Sequence, residues 1–109
     1  MTIEESGCRA FSDALELVGR RWTAAVLLAA QRGARRFGEY RAAIDGISDR
    51  LLAQRLKELE QEGLVERTVI PSTPVQIRYA LTPEGDELMR VLRPLVDWSH
   101  RRLTAGQPA

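Results

Sequence analysis

Three polar residues, Arg50, Gln54 and Lys57, recur at helical spacing in the middle of the chain. Residues three and four apart lie on one face of an α-helix, so these side chains would project together. An arginine can bond guanine bidentately, and a glutamine can do the same with adenine. Ala53 lies between them and is small enough to allow close approach. The pattern favours a face that contacts base edges in a DNA groove; a solvated helix face is the alternative.

The element that carries this face is predicted to be a helix over about 48–62. An apolar stripe recurs on its opposite side, formed by Leu52, Leu56 and Leu59. Burying each leucine contributes about 1.5–3 kcal/mol, which would hold the helix by one face. Ser48 can cap the first turn by accepting a backbone N–H, and Gly63 can adopt the left-handed conformation that ends helices. The polar face is therefore expected to stay free.

Positive charge is concentrated around this helix, although the net charge of the chain is only +1. Residues 20–57 hold nine basic and three acidic residues, whereas the segments on either side are net acidic. A local basic face is the electrostatic footprint of a nucleic-acid binder. Arg35, Arg36 and Arg41 fall where contacts to the phosphate backbone would orient a duplex without reading its sequence.

The remaining periodicity predicts a mainly α fold with a small β-hairpin (α+β). The expected elements are helices over Cys8–Val18, Arg20–Ala30 and Gly38–Ile44, a short strand over Arg35–Phe37, a hairpin over about 65–81 and a last helix from Pro83. The second helix is apolar nearly all round and is therefore expected in the core. Three helices followed by a two-stranded wing describe a winged helix-turn-helix, with a further helix at each end.

Length and composition favour one domain over 1–109, with its core at about 8–103. The longest apolar run, Ala24–Ala30, is far shorter than the roughly 20 residues that span a bilayer. The acidic N-terminus lacks the apolar segment of a signal peptide. We therefore expect a soluble, cytoplasmic protein without a membrane partner.

The chain contains one cysteine and one histidine, Cys8 and His100. This composition excludes an internal disulfide framework and a multi-cysteine metal site. There is also no glycine-rich phosphate loop and no evident pair of catalytic carboxylates. The sequence thus predicts neither an enzyme nor a cofactor-binding or metal-binding protein.

Several motifs stand in a specific order along the chain. They are Cys8, GRRWT at Gly19–Thr23, RRFGEYR at Arg35–Arg41, GISDRLLAQRLKELEQEGLVER at Gly46–Arg67 and YALTPEG at Tyr79–Gly85. Together they resemble the HxlR family of bacterial regulators, relatives of the MarR group, from Cys8 to about Trp98. The resemblance implies a homodimeric winged-helix transcription factor that represses or activates a nearby operon.

By the same resemblance, the helix from Ser48 enters the major groove and the hairpin approaches the minor groove. The recognition-helix roles fall by position to Ser48, Arg50, Gln54, Arg55 and Lys57. Arg55 lies nearer the leucine side, where we expect a phosphate contact or an internal ion pair. The wing departs from the family pattern because Gln76 replaces a basic residue and Arg78 an acidic one. Both share one side of the strand, so Arg78 would supply the missing charge.

Family resemblance also places the first and last helices at a dimer interface. The residues expected there are Phe11, Leu88, Leu92, Leu95 and Trp98. Alternatively, these side chains only close the core of the monomer. A two-fold dimer predicts a pseudo-palindromic operator with half-sites roughly 34–36 Å apart, or a multiple of that distance.

Cys8 has two interpretations. Some members of the family sense oxidants or electrophiles through a cysteine at this position, and Arg9 and a helix N-terminus would favour the thiolate. Alternatively, Cys8 is an inert buried thiol, and the chain has no second cysteine to resolve an oxidised one. Trp22 is expected in the core, with the lining of a small-molecule effector pocket as the alternative.

A winged helix does not guarantee DNA binding, so a protein-interaction module is the alternative function. The outward residues at positions 50, 54 and 57 discriminate between the two functions. Acidic or apolar side chains there would favour a protein partner, whereas arginine, glutamine and lysine favour double-stranded DNA.

Overall fold

The computed structural model describes residues 5–106, with side chains from residue 7 onward. These residues form helices α1 (Glu5–Gly19), α2 (Thr23–Gln31), α3 (Phe37–Ala43), α4 (Asp49–Gln61) and α5 (Pro83–Ala105), and strands β1 (Val65–Ile70) and β2 (Gln76–Leu81). The predicted fold class is confirmed, since α2 to α4 and the hairpin form a winged helix-turn-helix flanked by α1 and α5. The ends of the predicted domain, 1–4 and 107–109, lie outside the described residues.

Helix α2 lies at the centre of the core, as its apolar sequence predicts. The buried apolar residues are Val26, Leu27, Ala29, Ala30, Tyr40, Ile44, Ile47, Leu52, Leu56, Leu59, Leu64, Val65 and Met89. The helix begins at Thr23 and not at the predicted Arg20, because Trp22 adopts a left-handed conformation with φ of 77°. The Trp22 side chain still packs against this core.

The strand predicted at 35–37 is reduced to one isolated bridge, between Arg36 and Arg78. The Glu39 carboxylate accepts the backbone N–H groups of Arg35 and Arg36 at 2.9 and 2.8 Å. These hydrogen bonds start α3 at Phe37 and leave little room for an extended segment. The hairpin itself is a regular antiparallel pair along both strands.

The two terminal helices give the chain an elongated shape. Its radius of gyration is 16.1 Å, whereas a compact domain of this length has about 13 Å. Helix α1 lies against α2, and α5 contacts α2 and β2. At the start of α5, a Cβ on Gly85 would collide with the Leu64 carbonyl, so the glycine allows α5 to approach the α4–β1 connection closely.

Over residues 5–106, the helices include none with the length and apolarity needed to cross a bilayer. The same residues contain no cluster of three or more histidine, cysteine or acidic side chains placed to hold a metal ion.

Candidate nucleic-acid interface

Helix α4 is held in place by one face. Leu52, Leu56 and Leu59 are completely buried. The Ser48 Oγ accepts the Leu51 N–H at 3.1 Å and caps the helix, as the sequence predicts. Gly63 has a φ of 74° just after the helix and directs the chain into β1. The leucine face and the cap together fix which side of α4 points outward.

The outward side of α4 carries the predicted polar face. Arg50, Ala53, Gln54 and Lys57 are exposed. Among the described residues, neither Arg50 nor Lys57 has a hydrogen-bonding or ion-pairing partner. The Gln54 Nε2 donates to the Glu58 Oε1 at 3.3 Å, so one N–H of its amide is occupied. The face therefore presents two cationic groups and one partly oriented amide.

Arg55 turns toward the body of the protein. Its Nε donates to the Arg21 carbonyl at 2.9 Å, and its Nη1 lies 3.2 Å from the Glu58 carboxylate. Only 13% of its side chain is exposed. Of the two roles expected for Arg55, the structure shows the internal ion pair.

The N-terminal turn of α4 contains a second ion pair, between Arg41 of α3 and Asp49 at 3.2 Å. More than half of each side chain is exposed, at 55% and 62%, so this pair contributes little to folding stability. The pair has a larger effect on the local charge, because Arg41 offsets the negative charge of Asp49 beside the surface that would face phosphates.

The Arg35 guanidinium bonds to its own chain and is not part of the surface that would face phosphates. Its Nη1 donates to the carbonyls of Ala30 and Ala34 at 2.9 and 2.7 Å, so the guanidinium caps the C-terminal end of α2. Because that group is half-buried and bonded inside the chain, the phosphate contact expected for Arg35 has no support in the structure. The charge pattern of the sequence does not reveal that Arg35 bonds the backbone carbonyls at and after the end of α2.

Arg36 is exposed and links the start of α3 to the wing. Its Nη2 donates to the Gln76 Oε1 at 3.1 Å. The two backbone N–H groups that bind Glu39 lower the pKa of that carboxyl, with smaller contributions from the charges of Arg36 and Arg78. Through these two hydrogen bonds Glu39 orders the backbone beneath Arg36.

The wing places Arg78 in solvent and leaves Gln76 half-buried against Arg36. Arg67, which was not predicted from the sequence, lines a cleft of roughly 330 Å³ between α4 and the hairpin, together with Ala53, Lys57 and the acidic Glu60. Alternation along β1 would not have identified it, since Arg67 is exposed although it shares the parity of the buried Val65. Basic groups thus extend from α4 toward the wing.

Tyr40, also missed by sequence reasoning, fixes the wing to α3. Its hydroxyl donates to the Tyr79 carbonyl at 2.8 Å, and the two rings meet edge to face at 6.3 Å between centroids. Burial raises the pKa of Tyr40 to about 12. The Tyr79 N–H donates to the Arg35 carbonyl at 2.7 Å, and this hydrogen bond also fixes the strand that carries Arg78.

The predicted dimer residues fall into two groups. Phe11, Leu95 and Trp98 are exposed by 65%, 53% and 48%. Leu88 and Leu92 are half-buried and pack against the core. These two residues therefore agree with the alternative in which the side chains only close the core of the monomer. Three further exposed apolar side chains on α1 and α5 were missed: Leu15, Val91 and Leu103. Cys8 is a free thiol that lies exposed on α1, so it is not buried within its own chain.

Comparison with known proteins gives a consistent result. The family model described as HxlR-like helix-turn-helix matches residues 17–107. The HTH-type transcriptional regulator YvaP of Bacillus subtilis (strain 168) is 42% identical over 92 residues, covering 84% of this chain and 85% of YvaP. YodB from the same strain is 40% identical over 99 residues, covering 91% of this chain and 88% of YodB.

Solved structures show the same architecture. A MarR-family transcriptional regulator from Enterococcus faecalis V583 superposes with a TM-score of 0.80 at 32% identity, covering 96% of this chain and 94% of that chain. Diamide-treated YodB from B. subtilis superposes with a TM-score of 0.73 at 38% identity, covering 93% and 96%. YodB has also been crystallised with bound quinone.

Proposed function

The chain belongs to the HxlR-like helix-turn-helix family, and on that premise we propose that it is a transcriptional regulator that binds double-stranded DNA sequence-specifically as a homodimer. The observation that carries this proposal is the division of α4 into two sides. Its leucines are completely buried, while Arg50, Gln54 and Lys57 are exposed. No catalytic step and no cofactor are required for such a role.

The exposed side of α4 suits the major groove of B-DNA, which admits one α-helix. Arg50 is the candidate for guanine, because its guanidinium is exposed and can form two parallel hydrogen bonds. Gln54 is the candidate for adenine, and Ala53 leaves room for the approach. Ser48 lies at the helix N-terminus, where free backbone N–H groups favour a phosphate.

Contacts outside α4 would position the duplex. Arg41 lies beside the first turn of α4, Arg36 lies beside the wing, and Arg78 is exposed on the wing. Cationic side chains that neutralise phosphates contribute salt-dependent affinity without sequence information. Gln76, held by Arg36, would act chiefly by orienting that guanidinium.

Two copies of the chain would associate through α1 and α5. The exposed apolar side chains on these helices include Phe11, Leu95 and Trp98, and burying each would contribute about 1.5–3 kcal/mol before the cost of association. Two-fold symmetry would present two copies of α4 to a pseudo-palindromic operator. Such a regulator acts in the cytoplasm, where chromosomal DNA lies.

An oxidant or electrophile is the effector class that the comparisons favour. YodB has been studied after diamide treatment and with quinone bound, and Cys8 is an exposed thiol on a helix of the proposed interface. We expect Cys8→Ser to bind the operator normally and to lose any response to diamide or quinone. A response that persists in Cys8→Ser would eliminate Cys8 as the sensor.

Selection from a pool of random duplexes tests the proposal directly. The wild-type protein should enrich inverted half-sites, and the Arg50→Glu, Lys57→Glu double variant should enrich none while keeping its far-ultraviolet circular dichroism. If the wild-type protein enriches no sequence, the regulator proposal fails and the protein-interaction alternative is favoured.

A further inference from the structure

One acidic residue, Glu58, joins the polar face of α4 to the turn that follows α1. Its Oε1 accepts the Gln54 Nε2 hydrogen bond at 3.3 Å. Its carboxylate also pairs with Arg55 at 3.2 Å and with Arg20 at 3.3 Å. With 23% of the side chain exposed, Glu58 lies on the flank of the helix, between its outward and leucine faces.

The hydrogen bond to Glu58 determines how the Gln54 amide is presented. An ionised carboxylate only accepts hydrogen bonds, so it selects the nitrogen of the amide and excludes the oxygen. The second N–H of Gln54 and its carbonyl oxygen are left for a ligand. When the hydrogen bond to Glu58 uses the N–H that points away from the carbonyl oxygen, the amide offers one donor and one acceptor side by side.

This pair of groups is complementary to adenine. The major-groove edge of adenine offers an acceptor at N7 and a donor at N6, whereas guanine offers two acceptors at N7 and O6. A freely rotating glutamine could turn both N–H groups toward guanine. A glutamine that already donates one N–H to Glu58 has only one left, so guanine would lose a hydrogen bond.

The surroundings of Glu58 keep the carboxylate compatible with nearby DNA. Two guanidinium groups, from Arg20 and Arg55, lie against it, and Arg55 is itself anchored by the Arg21 carbonyl at 2.9 Å. The network therefore carries a net positive charge and is fixed to the protein body. Glu58 can hold Gln54 without presenting an uncompensated negative charge to phosphates.

We propose that Glu58 is a specificity-determining positioning residue, which fixes the Gln54 amide so that α4 distinguishes adenine from guanine at one base pair of each half-site. This inference rests on the proposed DNA-binding function. It assigns to Glu58 an effect on base preference that a residue needed only for folding would not have.

The test is selection from random duplexes with the wild-type protein, Gln54→Ala and Glu58→Ala. The position where Gln54→Ala loses its preference identifies the base read by Gln54. A bidentate contact discriminates by about 5- to 150-fold, and Glu58→Ala should reduce that discrimination to under about 3-fold at this position alone. Glu60→Ala is the matched control, since it removes an exposed carboxylate from the same helix and should keep the adenine preference.

Retained adenine preference in Glu58→Ala would overturn the inference while leaving the proposed function intact. Enrichment of no sequence by the wild-type protein would instead show that the proposed function is wrong. In Glu58→Gln the side-chain carbonyl can still accept the Gln54 hydrogen bond, so this variant should keep most of the adenine preference. Complete loss in Glu58→Gln would contradict the hydrogen-bond mechanism.

A measurement on the wild-type protein keeps the inference falsifiable if Glu58→Ala does not fold. The side-chain amide of Gln54 should be more ordered in ¹⁵N relaxation experiments than that of Gln61, which is exposed near the end of the same helix. Equal mobility of the two amides would mean that Glu58 does not hold Gln54.

Discussion

The leucine face of α4 and the apolar surface of the terminal helices differ in how much of their apolar area a single chain buries. Leu52, Leu56 and Leu59 are completely buried within one chain. Phe11 on α1 and Val91 on α5 remain exposed by 65% and 68%. The winged helix-turn-helix therefore completes its own core, whereas α1 and α5 retain apolar surface that a second copy could cover.

This difference separates two tasks in the proposed function. A recognition helix must keep a fixed orientation, and the buried leucines and the Ser48 cap provide it. An interface that responds to a signal must be able to change its contacts. The exposed apolar side chains of α1 and α5 are packed less tightly within the chain than the leucines of α4, which permits such a change. Cys8 lies in the second region, on α1.

The largest expected effect is on the recognition unit itself. Leu56→Ala should lower the free energy of unfolding by about 2–5 kcal/mol, because it leaves a cavity beneath α4. Urea denaturation followed by circular dichroism measures this change. Glu60→Ala, on the exposed side of the same helix, should change stability by less than about 0.5 kcal/mol. Similar losses in both variants would contradict the contrast between the two faces of α4.

The next effect concerns association. Trp98→Ala should weaken the dimer by about 2 kcal/mol or more, roughly 30-fold in the dissociation constant, because a large aromatic side chain at the interface would be lost. Sedimentation equilibrium gives the constants for Trp98→Ala and for the exposed polar control Arg90→Ala. A wild-type protein that remains monomeric, or equal constants in both variants, would show that α5 does not mediate dimerisation.

A smaller effect is expected on DNA binding by the polar face of α4. Arg50→Ala should weaken operator binding by about 1–3 kcal/mol and relax specificity at one base position. Fluorescence anisotropy with the selected operator and with duplexes altered at single positions measures both quantities. An equal loss on every sequence would identify Arg50 as a phosphate contact.

The smallest effect concerns the support of the wing. Tyr40→Phe should lower the free energy of unfolding by about 0.5–1.5 kcal/mol, since it removes the hydrogen bond to the Tyr79 carbonyl. Burial raises the folded-state pKa of Tyr40 to about 12, above its ordinary value near 10. The unfolded chain therefore loses its phenolic proton first, and stability falls as the pH rises from about 10 through 12.

Alkaline urea denaturation of the wild-type protein and Tyr40→Phe tests this pH dependence. The wild-type protein should lose more stability than Tyr40→Phe over that pH interval. Parallel curves for the two proteins would show that the Tyr40 hydroxyl is not shielded in the folded state.

The parts predicted from sequence are those encoded by local spacing. The leucine stripe of α4 and its Ser48 cap depend on residues a few positions apart, and both are present. The contacts of Arg55 with Arg21 and of Glu58 with Arg20 join separate elements. Such contacts depend on tertiary placement, which hydrophobic periodicity does not specify.

Tertiary placement also explains why some of the predicted dimer residues are exposed and others pack against the core. Leu92 and Leu95 belong to one apolar pattern on α5, but only Leu92 packs against the core of its own chain. Helical spacing identifies the apolar side of a helix. It does not show where along that side the core ends and an exposed surface begins.

In the proposed function, two copies of α4 present their polar faces to one duplex. Spin labels at Gln61→Cys in a Cys8→Ser background test it by pulsed electron–electron double resonance on the operator complex. We expect one distance peak near a DNA helical repeat, roughly 34–36 Å, or a multiple of that value, broadened by the label linkers. A complex without dipolar coupling between copies, or with a separation well below one repeat, would contradict the account.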